Sequence, residues 1–308
     1  MDIRQLRYFL AIAEAQSITA AAQALGVAQP SLSQHVRRME KDLGLQLVER
    51  SARGTMLTEE GRVLAEHARR ICDSLDRCME DMRELGGVIG GRVCFGMPPS
   101  CSMVMSVPLA ETVRLELPEV RLRAVEAMSS YLKTWVQDGT VDIGFLYDLD
   151  EVGHFRSTHV LDEELYFFSA PDSWPLDTPP GAPVPLRDLE TLDMVLPSGG
   201  LRRLIEQTCN ANDVRLNVVI EMDAMTQIKE LVARGSGYTI FAPVAAQDFV
   251  ARGELLRARI IEPTITRPVH LVHNPARVMT RACRAIEDAT LKVARELVRR
   301  GIWEGTLV

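Results

Sequence analysis

Residues 17–54 constrain this chain more than any other stretch. They read Ser17-Ile18-Thr19-Ala20-Ala21-Ala22, then Leu25-Gly26-Val27, then Ala28-Gln29-Pro30-Ser31-Leu32-Ser33-Gln34-His35-Val36-Arg37-Arg38-Met39-Glu40, and continue to Arg50-Ser51-Ala52-Arg53-Gly54. The layout is a helix, a tight turn, a second helix with a polar outer face, and a basic hairpin. Two short helices at a steep angle, the second aimed at a major groove, make a DNA reader. Upstream, Ile3, Leu6, Phe9, Leu10 and Ala13 predict a first helix over 3–15. Ser17 suits the N-cap of the alanine-rich second helix. Gly26 stands where the turn needs a positive φ, and Pro30 fits the first turn of the third helix.

In that third helix Leu32, Val36, Met39 and Leu43 recur at helical spacing and are expected to face inward. Gln29, Pro30, Ser31, Ser33, Gln34 and Arg37 remain for the early outer face, the part of a recognition helix that meets base edges. Gln bonds adenine in bidentate fashion, Arg bonds guanine, and Ser serves bases or phosphates. The segments 47–50 and 55–57 flank the hairpin tip, so Arg50 and Arg53 are expected to reach phosphates or a minor groove. The competing reading is a helical pair that only packs. The wing, the polar face and the following helix together favour duplex DNA as the partner.

Charge supports this weakly. The chain carries −7, yet residues 1–58 hold seven cations against five anions, a balance of +2.

A long helix is expected from a Thr58 cap to about residue 85. Leu64, Ala68, Ile71, Leu75, Cys78, Met82 and Leu85 step by alternating fours and threes, an a/d seam for a helical partner. The dimerisation residues on it are Leu64, Ile71, Leu75, Cys78 and Met82. A dimer would match an operator with an inverted repeat. Gly86-Gly87-Val88-Ile89-Gly90-Gly91 reads as a hinge and lacks the order of a nucleotide loop.

From residue 92 the pattern becomes α/β. Strands are predicted at 93–97, 121–126, 141–147, 164–170, 194–196, 218–222, 238–241 and 269–273, and helices at 102–115, 130–137, 201–212, 224–233 and 279–300. Such alternation argues for parallel sheets.

With these residues assembled, the chain resembles the LysR-type transcriptional regulators over nearly its whole length. The resemblance rests on Met1-Asp2-Ile3-Arg4-Gln5-Leu6-Arg7-Tyr8-Phe9, Ala28-Gln29-Pro30-Ser31-Leu32-Ser33 and Leu57-Thr58-Glu59-Glu60-Gly61. Gly96-Met97-Pro98-Pro99-Ser100 resembles the branch that includes the nitrogen assimilation control protein. The resemblance implies an all-α winged helix-turn-helix at 1–58, a dimerising linker and hinge at 59–91, and an effector domain at 92–308 like the periplasmic binding proteins. That domain would have two α/β lobes, 92–163 with 268–308, and 164–267, crossed near 162–164 and 264–268. Homotetramers and a small inducer held between the lobes are implied too.

Ligands of two-lobed α/β domains lie at strand ends near helix N-termini. Ser100, Cys101 and Ser102, then Ser129 and Ser130, then Ser198 with Arg202 and Arg203, occupy such positions, and Thr226 and Asp148 would complete the ring. Each serine alone is better read as a helix cap. Together they suggest an anionic effector, while Asp148 and Glu126 leave an amine or hydroxyl group open.

Little points to an enzyme, a metal or a cofactor. Gly-x-Ser-x-Gly is absent. His270 and His273 lie three apart on a predicted strand and face opposite ways, and His154 and His159 flank a loop without HExxH or cysteine partners. The six cysteines show no CxxC spacing, so a reduced, cytoplasmic protein is the simple reading. One branch of the family senses peroxide through paired cysteines in lobe two, where Cys209 stands alone. Cys101, at a helix N-terminus, is a minor redox candidate. The runner-up function is a solute-binding or enzymatic α/β protein carrying a helical domain.

Overall fold

The computed structural model describes residues 1–51, 54–84, 89–147 and 155–308. It divides into two compact units, Met1–Gly87 and Val88–Val308.

The first unit begins with α1 (Ile3–Ala15), closed by a capping box in which Asp2 Oδ1 accepts from Gln5 N–H (2.8 Å) and Asp2 N–H donates to Gln5 Oε1 (2.9 Å). Helix α2 (Ile18–Leu25) is capped by Ser17 and stopped by Gly26 at φ 65°. Helix α3 (Gln29–Leu43) follows, with Pro30 in its first turn and Gly44 at φ 70° after its last. Strands β1 (Val48–Ser51) and β2 (Gly54–Leu57) pair antiparallel from Val48↔Leu57 to Ser51↔Gly54. Helix α4 (Glu59–Glu84) completes the unit. Leu6, Phe9 and Ile12 of α1, Leu32, Val36 and Met39 of α3, and Ala65, Ala68 and Cys72 of α4 form its core. Each large side chain buried there contributes about 1.5–3 kcal/mol.

Close backbone approaches fix the hairpin. Thr55 N–H donates to Gln16 O (2.9 Å), and a Cβ on Gly54 (φ 123°) would stand 2.7 Å from that oxygen. At the start of α4 a Cβ on Gly61 would lie 2.1 Å from Leu47 O, so only glycine lets the helix approach the backbone just before β1.

The second unit runs β3 (Gly91–Met97), α5 (Pro99–Glu116), β4 (Val120–Glu126), α6 (Ser129–Asp138), β5 (Ile143–Leu146), β6 (Arg156–Glu164), β7 (Tyr166–Ser169), β8 (Val184–Pro185), β9 (Asp193–Leu196), α7 (Gly200–Asn210), β10 (Asn217–Glu221), α8 (Met225–Ala233), β11 (Thr239–Phe241), α9 (Gln247–Ala251), β12 (Leu256–Ile261), β13 (Thr266–His273), α10 (Arg281–Arg299) and β14 (Gly305–Leu307). One sheet has six strands in the order β14-β6-β13-β5-β3-β4, another four in the order β11-β7-β12-β8, and β9 pairs with β10. In the six-stranded sheet β3 pairs parallel with β4 and with β5, whereas β13 pairs antiparallel with β5 and β6, and β14 antiparallel with β6, so the sheet is mixed where a parallel one was expected. The chain leaves this sheet after β6 and returns at β13. Leu165 N–H donates to Ile265 O (2.9 Å), tying the two crossings together. Behind the sheet, Phe95, Phe145 and the fully buried Trp303 pack edge to face at 5.5 and 5.8 Å.

Strands β6, β8, β12 and β14 were not anticipated. Arg156-Ser157-Thr158-His159 opens β6 with polar residues on both faces, and Val160 is skipped in the register opposite Val269 and His270, so the strand's own period of two is broken.

Candidate nucleic-acid and effector sites

On α3 the inward residues are Leu32, Val36 and Met39, while Gln29, Pro30, Ser31, Gln34, Arg37, Arg38 and Lys41 are exposed. Residues 30, 34, 37 and 41 follow one another along a single stripe. Ser33 departs from expectation. It is 8% exposed, and its Oγ accepts from Gln29 Nε2 at 2.9 Å. It faces inward and steadies Gln29 rather than facing a groove. Leu43 departs the other way and is exposed.

The hairpin is fastened to the reading helix by a residue that sequence reasoning missed. Glu40 Oε1 accepts from Leu47 N–H (2.9 Å) and Val48 N–H (3.3 Å), anchoring the first residue of β1 to the last turn of α3. No local pattern marks Glu40, because the bond spans a turn whose course appears only in three dimensions. Thr58 Oγ1 donates to Gln46 O (2.7 Å) and accepts from Gly61 N–H (3.0 Å), so the expected cap also holds the hairpin base. Arg50 lies on β1 opposite Thr55; its side chain, and Arg53 altogether, lie outside the described residues.

The seam on α4 splits in two. Leu64 is half-buried against the unit's own core and Ala68 is fully buried there. Ile71, Leu75, Cys78 and Met82 are exposed at the expected spacing. Leu85 and part of the glycine hinge lie outside the described residues.

In the second unit the candidate effector residues divide by solvation. Ser100 and Cys101, expected to line a ligand site, are buried in the first turn of α5. Ser100 Oγ shares a 2.5 Å hydrogen bond with Tyr147 OH and accepts from Arg267 Nη2 at 3.1 Å. Cys101 Sγ lies 3.2 Å from Tyr147 OH. Burial pushes the Cys101 thiol far up, which removes the acidified thiol that a redox role requires. Arg267 stacks over the Tyr147 ring at 3.6 Å and forms an ion pair with Glu163, whose other oxygen accepts from Trp303 Nε1 at 3.0 Å. Burial weakens the charged form of Arg267, but the Tyr147 oxygen and Glu163 outweigh it and hold the guanidinium protonated. Arg267 and Glu163 are direct partners in the β13–β6 register, two residues from each crossing. Register is invisible in the sequence, so this network had no local signal.

At the other strand ends Ser102 and Ser129 are half-buried and Thr226 is exposed. Ser198 donates twice to Asp223 Oδ1, through its N–H (2.8 Å) and its hydroxyl (2.6 Å). These bonds lower the Asp223 pKa. Arg202 is not an open cation: Nε bonds Glu206 at 2.7 Å and Nη1 pairs with Glu221. Asp148 and His154 lie outside the described residues. His159 is on β6 rather than beside a loop. It stacks on His270 with centroids 4.7 Å apart, and its Nε2 is 3.0 Å from Asp162 Oδ1.

Two family descriptions account for most of the chain. Residues 3–62 match the bacterial regulatory helix-turn-helix protein, lysR family, and residues 86–295 match the LysR substrate binding domain. The chain belongs to the lysR family. It is a DNA-binding transcriptional regulator with an effector-binding domain, and not an enzyme. This LysR-family regulator is 28% identical to the nitrogen assimilation regulatory protein nac of Klebsiella aerogenes, over 95% of each chain. It is 29% identical to the HTH-type transcriptional regulator BbuR of Bordetella bronchiseptica, over 99% of this chain and 94% of that one. In fold it is similar to CbnR complexed with its target DNA, with a TM-score of 0.72, 21% identity, and coverage of 96% and 99%. Among the regulator's described residues no helix is long and apolar enough to cross a membrane.

Proposed function

We propose that this regulator reads duplex DNA with Gln29, Pro30, Ser31, Gln34 and Arg37 of α3, and that Arg50 and Arg53 of the hairpin add phosphate or minor-groove contacts. The single observation behind this reading is the exposed stripe of α3, which puts amide, hydroxyl and guanidinium groups on the solvent side of a helix whose other side is core. Glu40 sets the hairpin's angle to that helix. The working division is residues 1–58 for DNA binding, 59–91 for the linker, and 92–308 for the effector domain, with lobes at 92–163 plus 268–308 and at 164–267. Ile71, Leu75, Cys78 and Met82 would pair two chains over an inverted repeat, and pairs of dimers would give a tetramer.

Fluorescence anisotropy with the DNA upstream of the regulator's own gene, against a scrambled duplex at physiological salt, tests the reading. Preference for the native duplex of about a thousandfold or more is expected. Gln34→Ala or Arg37→Ala should each cost about 1–3 kcal/mol on that duplex and little on the scrambled one. Equal losses on both duplexes would reduce these residues to phosphate contacts.

The effector is read as a small anion held between the lobes. The support is Ser198, whose N–H and hydroxyl already receive a carboxylate, that of Asp223, with Thr226 exposed nearby in sequence at the start of α8. Thermal-shift screening of carboxylates, phosphates and amines checks it. A shift with anions that Ser198→Ala abolishes is expected, and a shift with amines alone would replace the reading.

A further inference from the structure

The two larger sheets of the second unit are joined by more than the chain that crosses between them. The covalent crossings are neighbours: β6 leaves the six-stranded sheet at Glu164, β13 re-enters it at Thr266, and these two residues are partners in the register. The last strand, β14, lies on the other side of β6, with Gly305 opposite Glu163 and Thr306 opposite Asp162. It is closely seated. Trp303, just before it, is fully buried and donates its indole N–H to Glu163 Oε1 (3.0 Å), while a Cβ on Gly305 would stand 2.5 Å from Asp162 O. Between these two anchors stands Glu304. Its carboxylate reaches out of this sheet to Arg257 of β12, a strand of the four-stranded sheet.

A second ion pair runs beside the first. Arg259, two residues along β12 and on the same face, forks Glu164, with Nε to Oε2 at 2.8 Å and Nη2 to Oε1 at 2.7 Å. Tyr166 lies among these charges: the Arg257 guanidinium is 5.6 Å from its ring centroid. Isolated surface ion pairs contribute little. These two differ in where they act. Glu164 is on a crossing, so its pair with Arg259 reinforces a connection that the chain already makes. Arg257 and Glu304 belong to different sheets and lie 47 residues apart, so their pair adds a third connection where the chain provides two. Two adjacent crossings form a joint about which lobes open and close, and a tie at its edge lengthens or shortens as they do. We infer that the C-terminal segment 303–307 is a strap: seated on the six-stranded sheet by Trp303 and β14, it holds the four-stranded sheet through Glu304 and Arg257, and so restrains the lobe movement by which an effector acts. The inference rests on the lobe division proposed above.

Hydrogen exchange of the full-length protein tests it, read at Leu165, whose N–H donates to Ile265 O between the crossings. Glu304→Gln keeps the shape of the side chain and removes its charge. It should speed exchange at Leu165 about two- to fivefold, the range of a partly exposed pair, with α1 to α3 unchanged and melting confirming the fold. Added salt should speed the parent and not the variant. Arg257→Glu combined with Glu304→Arg should restore the parent's rate. The strap is overturned if Leu165 exchanges equally in the parent and in Glu304→Gln. It is overturned too if the swapped charges fail to restore the rate, since the loss would then lie in the packing of Trp303. Faster exchange throughout both sheets would show a single rigid body and would remove the lobe division as well. Duplex anisotropy and the anion screen are read on the parent, so those proposals stand apart from failure of the strap.

Discussion

Two strand ends in the second unit share a pattern and differ in solvation. After β3 the chain reads Met97-Pro98-Pro99-Ser100, and after β9 it reads Leu196-Pro197-Ser198-Gly199-Gly200. Each puts a serine where a strand hands over to a helix. At the first, Ser100 is sealed under Tyr147 and Arg267, with Glu163 and Trp303 behind them. At the second, Ser198 meets Asp223 near water, and Arg202 is paired with two carboxylates. The lesson is that the motif places a hydroxyl, and the residues brought in by distant strands decide what it is worth. Inside, an unpaired charge is severely penalised. At the surface, the same bonds compete with solvent.

The sharpest way to break this contrast is Arg267→Met. It leaves Glu163 buried without its cation, which should cost about 3–5 kcal/mol. For a unit of this size that lowers Tm by roughly 6–20 °C. Arg267→Met combined with Glu163→Leu should recover much of the loss, because an apolar pair of similar volume has no charge to desolvate. Calorimetry on the parent and the two variants checks this. A single-variant loss below about 1 kcal/mol would mean that water reaches the pair, and the contrast would fall.

Trp303→Phe comes next. The ring is kept in its packing against Phe145, but Glu163 Oε1 loses its indole N–H, at about 1–3 kcal/mol. Smaller again is Ser100→Ala, at about 1 kcal/mol. Chemical denaturation resolves both, and the order of the two losses is itself a test of where the network's weight lies.

The same contrast explains what the sequence disclosed. The helices of the first unit were legible because Leu6, Phe9, Leu32, Val36 and Met39 encode their own period, and Gly26 and Pro30 punctuate it. So was the spacing of the apolar row on α4, though not that Leu64 and Ala68 pack on the unit's own core while Ile71 and Leu75 are exposed, since Leu64 and Ile71 look alike until the core forms. Serines at helix starts were legible as positions. Their solvation was not, because Arg267 lies 167 residues from Ser100, and only the sheet order, with β5 between β13 and β3, brings it there. Ser33 failed for a similar reason: helical phase put it on the border of the polar face, and packing turned it inward.

Asp223→Asn is the smallest effect and the most discriminating. Ser198 donates two hydrogen bonds to this carboxylate, and they hold its pKa below the ordinary value. A folded-state pKa below the unfolded one stabilises the protein above the unfolded pKa, and that contribution is lost as pH falls through the folded value. Asp223 is largely exposed, so solvent screens the bonds and the contribution should stay under about 1 kcal/mol. Denaturant midpoints of the parent and of Asp223→Asn should therefore differ slightly at pH 7 and converge as pH drops below about 4, the ordinary carboxylate range. Ser100→Ala removes no titrating group, so its loss should persist across the same interval. Should the Asp223→Asn gap hold constant down to pH 3, the Ser198 bonds would be as well shielded as those of Ser100, and the two strand ends would not differ in solvation.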